Sequence, residues 1–168
     1  MKINYLRNAV ILLFLGICSS CTDSENNVGE IINPVLPNDD LMAFFEKHLP
    51  HVSSGYSSDC FFTDTRENKY IVINSMDELR KNISDVAIET PVIDFKSYTL
   101  IIGQYEVPSS SYYVIKHDIA VGTKKYDLNV LAFKPESSYA VVSALYYWGL
   151  YSKFPQKSIN VNITFQTK

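Results

Sequence analysis

The stretch SINVNITFQ (Ser158–Gln166) reads as a β-strand with one dry and one wet face. Ile159, Val161, Ile163 and Phe165 alternate with Ser158, Asn160, Asn162, Thr164 and Gln166. Strand side chains point to opposite faces with period two, so this pattern predicts a sheet that buries one side only. Working outward, YTLIIGQYEV (Tyr98–Val107) is apolar on both faces, as a central strand would be. Pro108 and three serines supply a turn, YYVIKHDIAV (Tyr112–Val121) a further strand, and GTKK a second turn. In YDLNVLAFK, Tyr126, Leu128, Val130 and Ala132 share one face while Asp127 and Asn129 sit opposite. KYIVIN (Lys69–Asn74) is a short strand. YAVVSALYYW (Tyr139–Trp148) permits a helix through alanine and leucine, but its valines and tyrosines favour a strand.

Two short helices precede the long strands. Asn38 or Asp39 can cap DLMAFFEKHL, in which Leu41, Phe44, Phe45 and Leu49 recur at helical spacing before Pro50 ends the helix. Ser75 with Glu78 three residues on forms a capping box, and Leu79 and Ile83 mark the apolar face behind it. The class predicted is α+β: one or two short N-terminal helices packed on a mostly antiparallel β-sheet or small sandwich of about five to seven strands.

The first twenty residues do not belong to that fold. Lys2 and Arg7 give a positive start, AVILLFLGI (Ala9–Ile17) an apolar run, and small residues follow, the layout of an export signal. The apolar run is too short to span a bilayer, which takes about 20 residues. Ser19 and Ser20 before Cys21 resemble the signal of bacterial lipoproteins, in which a peptidase cuts ahead of a cysteine that carries acyl chains. Cys18 is the poorer candidate because β-branched Ile17 precedes it. An ordinary signal peptide with incidental cysteines is the alternative. Acyl burial contributes about 0.8 kcal/mol per CH₂, so a multiply acylated Cys21 would hold the chain on a membrane. Asp23 and Glu25 soon after Cys21 resemble the acidic run of surface-exported Bacteroidota lipoproteins, which implies an outer-membrane placement in the cell envelope, periplasmic or surface-facing. The expected organisation is a signal peptide over residues 1–20, a flexible proline-containing tether over 21–37 and a single α+β domain over 38–168.

The full chain carries a formal net charge of −3, more negative once Lys2 and Arg7 are removed, which argues against nucleic acid as a partner. With Cys21 acylated and Cys18 removed, Cys60 has no partner for a disulfide and reads as a small buried residue. Cys60 with His117 or His51 is the one nucleophile and base set on offer, but Asp59 beside it would disfavour the thiolate. His48 and His51 with Asp59 and Cys60 make a poor metal set, since Pro50 separates the histidines and no second pair follows. Six scattered glycines form no phosphate-binding loop. These readings name no metal, no cofactor and no reaction, and the domain is read as non-enzymatic.

Function concentrates, if anywhere, in LYYWGLYSKF (Leu145–Phe154). Tyr146, Tyr147, Trp148, Tyr151 and Phe154, with Tyr112 and Tyr113 from the preceding turn, offer a candidate surface for a protein or glycan ligand. The competing account is that these rings close the core.

VINSMDELRK, VIDFKSYTLIIGQ and LYYWGLYSKFPQKSINVNI together resemble a family of Bacteroidota exported lipoproteins without assigned activity, with Asp94-Phe95 the most specific point. More distantly, that pair before a strand, a proline turn before an aromatic strand and a terminal alternating strand are similar to the C-terminal domain of protease-complex stabilising proteins of the PrcB type. There the turn usually carries glycines, where PSSSYY has serines. The resemblance implies protease inhibition or stabilisation as an alternative function and transfers no functional residue.

Overall fold

The computed structural model describes residues 29–49, 52–54, 60–62, 66–85, 87–136 and 141–167. The signal peptide, Cys21 and the tether up to residue 28 lie outside them, as do His51 and Asp59. The elements are β1 (Ile31–Ile32), α1 (Asp39–His48), β2 (Val52–Ser54), β3 (Lys69–Ile73), α2 (Met76–Asn82), β4 (Tyr98–Val107), β5 (Tyr113–Val121), β6 (Lys125–Phe133), β7 (Ser143–Ser152) and β8 (Ser158–Gln166). They form a sandwich of two four-stranded sheets, β1-β5-β6-β8 (sheet A) and β2-β7-β4-β3 (sheet B). The α+β class holds: six strands have five residues or more, and β1 and β2 are short edge pieces. The ambiguous stretch is a strand from Ser143 onward.

Alternation along β4 and β7 builds three layers. Leu100 and Ile102 of β4, with Tyr146 and Leu150 of β7, face the helices and pack with Leu41, Phe45 and Leu79. Ile101, Tyr147 and Tyr151 face the other way, onto Ile119, Leu128 and Val130 of sheet A. Sheet B is therefore covered twice, which explains why β4 and β7 are apolar on both faces. The outer face of sheet A stays wet. There Asn160 Nδ2 donates to Asp127 Oδ1 at 2.9 Å and Asn162 Nδ2 to Asn129 Oδ1 at 3.2 Å, a ladder across β6 and β8.

The helices start where their caps predict. Asn38 Oδ1 accepts from the Leu41 N–H at 2.9 Å and Ser75 Oγ from the Glu78 N–H at 3.1 Å. The Glu78 carboxylate reaches back one residue further than the motif requires, accepting from the Asn74 N–H at 2.6 Å.

Two features depart from the sequence reading. β8 runs parallel to β6, in unbroken register from Lys125↔Ser158 to Phe133↔Gln166. Parallel neighbours need a crossover connection, and here the crossover is β7, which lies in the other sheet. The second departure is at the tether. Residues 30–35, expected as its last part, are built into the sandwich: the Val121 N–H donates to the Glu30 carbonyl at 2.8 Å, β1 pairs with Ile119 and Ala120, and the Val35 N–H then donates to the Leu150 carbonyl at 2.7 Å. A strap thus runs from the edge of sheet A to the edge of sheet B. Its strand portion is two residues long, too short for a period to show.

Candidate functional site

Strand alternation scatters the expected aromatic surface. Tyr146 faces the helices, Tyr147 and Tyr151 lie between the sheets, and all three are at most 4% exposed. Tyr112 is buried against Val107, Ala132 and Leu145. Phe154 leans on Tyr126 with ring centroids 4.8 Å apart. Tyr113 stacks on Phe133 at 4.9 Å, half exposed. Trp148 stacks on Phe45 at 4.1 Å but keeps part of its surface open. The core-closing account therefore holds for Tyr146, Tyr147 and Tyr151, because both faces of sheet B are covered, and for Tyr112 through its packing with Val107, Ala132 and Leu145.

What does form is a cleft of about 580 Å³ between β5 and β7, beneath the strap. Asn33 and Pro34 roof it, Lys116 and Asp118 line one side, and Tyr147 and Trp148 the other. His117 sits at its base. Its Nδ1 lies 2.6 Å from the Tyr151 hydroxyl, and the Trp148 backbone lies close enough to favour the charged ring. Burial holds the imidazole below its ordinary pKa, with the Asp118 charge and the Trp148 carbonyl opposing weakly. Burial likewise pushes the Tyr151 phenol far up, helped by Asp118 and Tyr147. Gly149 makes this approach feasible, since a Cβ there would lie 2.6 Å from His117 Cε1. His117 works as a clasp joining sheet A to sheet B. Its neighbours Lys116 and Asp118 lie opposite Leu131 and Asn129 and point to the outer face of sheet A, where Asn129 Nδ2 donates to Asp118 Oδ1 at 3.0 Å, so the side chains left to meet a ligand are Asn33 and the Trp148 edge.

The other sequence candidates fall into structural roles. Cys60 is fully buried among the helix-side residues, across sheet B from His117, so the two cannot act together. His48 packs against Phe44 with ring centroids 4.9 Å apart. Among the described residues no group of three or more His, Cys, Asp or Glu side chains could hold a metal. Asp94 builds the turn that launches β4: its carboxylate accepts from the Lys96 N–H at 3.1 Å and its carbonyl from the Tyr98 N–H at 3.0 Å. The hydrogen bonds of Ser97 and Lys96 hold that carboxyl below its ordinary pKa. Sequence reasoning considered His117 only as a base and missed it as a clasp; an isolated glycine two residues before a tyrosine in an apolar strand was the available signal.

No protein-family model, curated protein or solved structure matches the chain. No helix among the described residues is long and apolar enough to cross a membrane.

Proposed function

We propose that this chain is an outer-membrane lipoprotein of the bacterial cell envelope, anchored through acyl chains on Cys21, whose domain binds a protein or glycan ligand without catalysing a reaction. The observation that supports the binding role best is the cleft beneath the strap. Its open side chains are a carboxamide and an indole edge, which suit a polar ligand with an apolar face. Its histidine is already engaged by the Tyr151 hydroxyl. Positioning toward a membrane rests on the signal-like N-terminus.

The test has two arms. Mass spectrometry of the membrane-extracted chain should find residue 21 as an acylated N-terminus; a bare thiol there, or the preceding twenty residues still attached, ends the anchoring half. Glycan arrays and cross-linked co-purification should return a ligand whose capture falls at least tenfold in Asn33→Ala, with the melting temperature unchanged. Equal capture by that variant ends the role of the cleft. A protease inhibitor or stabilising subunit is the second reading, resting on the turn-and-strand likeness, and recovery of a protease with the cross-linked chain would favour it.

A further inference from the structure

The far edge of sheet A carries a second groove, of about 700 Å³, on the side away from the strap. Six consecutive residues of β8, Ile159 to Thr164, form one wall, Asn68 to Tyr70 the other, and Tyr147 lies between. The peptide groups of β8 alternate in direction. The Gln166 carbonyl faces β6, where it accepts from the Lys134 N–H at 2.8 Å. The N–H and C=O groups of Phe165, Ile163 and Val161 therefore face the groove, as the Ile159 carbonyl does where it accepts from the Tyr70 hydroxyl at 2.7 Å. Among the described residues no strand pairs with this edge.

Exposed strand edges are normally blunted by shortness, lysine, proline or a bulge. The remaining edges follow that rule: β1 has two residues, β2 three, and β3 five with Lys69 among them. β8 has nine residues with no charge and no proline, in regular register throughout. Such an edge is a template for another backbone, and the groove determines which kind. Tyr70 closes one end by bridging to Ile159, and β3 walls the side, leaving room for one chain. An edge strand of a second copy brings its own sheet with it and does not fit.

We propose that this groove captures an extended segment of a partner polypeptide, which adds to β8 as a further strand of sheet A. The guest alternates as β8 does. Its apolar side chains lie over Tyr147 and the inward-facing Val161 and Ile163, and its polar ones lie beside Asn160, Asn162 and Thr164. At the open end, Phe165 stands 5.8 Å from the Tyr105 ring and 5.6 Å from that of Tyr112, a seat for a terminal apolar residue. This site is separate from the cleft beneath the strap and does not depend on it.

The test uses the full chain in detergent and a displayed library of random octapeptides. Selected peptides are expected to alternate apolar and polar residues and to slow hydrogen exchange at the amides of Val161, Ile163 and Phe165 at least tenfold. Val161→Pro deletes one groove-facing N–H without touching the β6 ladder. It should lower peptide affinity at least tenfold, whereas Val161→Ala, which keeps the N–H and removes side chain, should bind within threefold of the parent. Equal binding by the two variants overturns the proposal, as do binding without protection of those amides and a library that yields no binder. Protection of the three amides before any peptide is added also overturns it, because the edge would then be filled by the chain itself or by another copy.

Discussion

Gly103 and Tyr147 face each other directly across β4 and β7. A methyl group at residue 103 would lie 2.0 Å from Tyr147 Cζ, 2.2 Å from its hydroxyl oxygen and 2.3 Å from Cε2. Carbon atoms settle at about 3.5–4.0 Å, so the ring would have to retreat by roughly 1.5 Å. It has little room to do so, being 4% exposed and packed between the sheets with Ile101, Leu128 and Val130. Overpacking of this kind costs about 1–3 kcal/mol, and Gly103→Ala should fall near the upper end, about 3 kcal/mol. Tyr147→Ala removes a large buried ring and should cost about 4 kcal/mol. In the double variant the new methyl enters space the ring has left, so the combined loss should stay near 4 kcal/mol, against about 7 if the effects added. Urea unfolding followed by the fluorescence of Trp148, the single tryptophan, measures all three. Additivity to within about 0.5 kcal/mol would refute the argument, because the methyl and the ring would then not compete for one space.

Four further outcomes are expected. Asn38→Ala and Ser75→Ala each lose a helix N-cap and should destabilise by about 1 kcal/mol in the same urea assay. His117 is held below its ordinary value of 6.5 in the fold, so the unfolded chain binds the proton first: stability is complete above pH 6.5 and declines as pH falls below it. His48 is also lowered and contributes in the same direction, so the pH dependence of stability should weaken but not vanish in His117→Gln. Cys60 should resist alkylation in the native chain and react on unfolding, as read by peptide mass mapping at that residue.

The strands were legible where one rule governed them. Ser158–Gln166 alternates because β8 has one wet face, and Tyr98–Val107 does not because helices and sheet A cover both sides of β4. The caps at Asn38 and Ser75 were legible because capping is local. The parallel pairing of β8 was hidden, since the pattern of one strand says which face is dry and nothing about its neighbour's direction. The aromatic run misled as a surface for a related reason. Tyr146 and Tyr147 are adjacent in sequence and point into different layers, and only the number of layers decides whether either sees solvent. His117 joins Tyr151 across 34 residues and two sheets, a meeting that depends on how the sheets stack.

The strap fixes how the domain would respond to load. Any tension arriving from the N-terminal side reaches the Glu30–Val121 contact first and the Val35–Leu150 contact next, one after the other. Contacts arranged in series open one at a time, each bearing the whole force, while the long ladders of β4–β7 and β6–β8 stay slack. Stretching would therefore peel the strap away and unroof the cleft between β5 and β7 before any sheet was torn, so the hold on whatever lies beneath would loosen under pull while the body of the protein stayed whole.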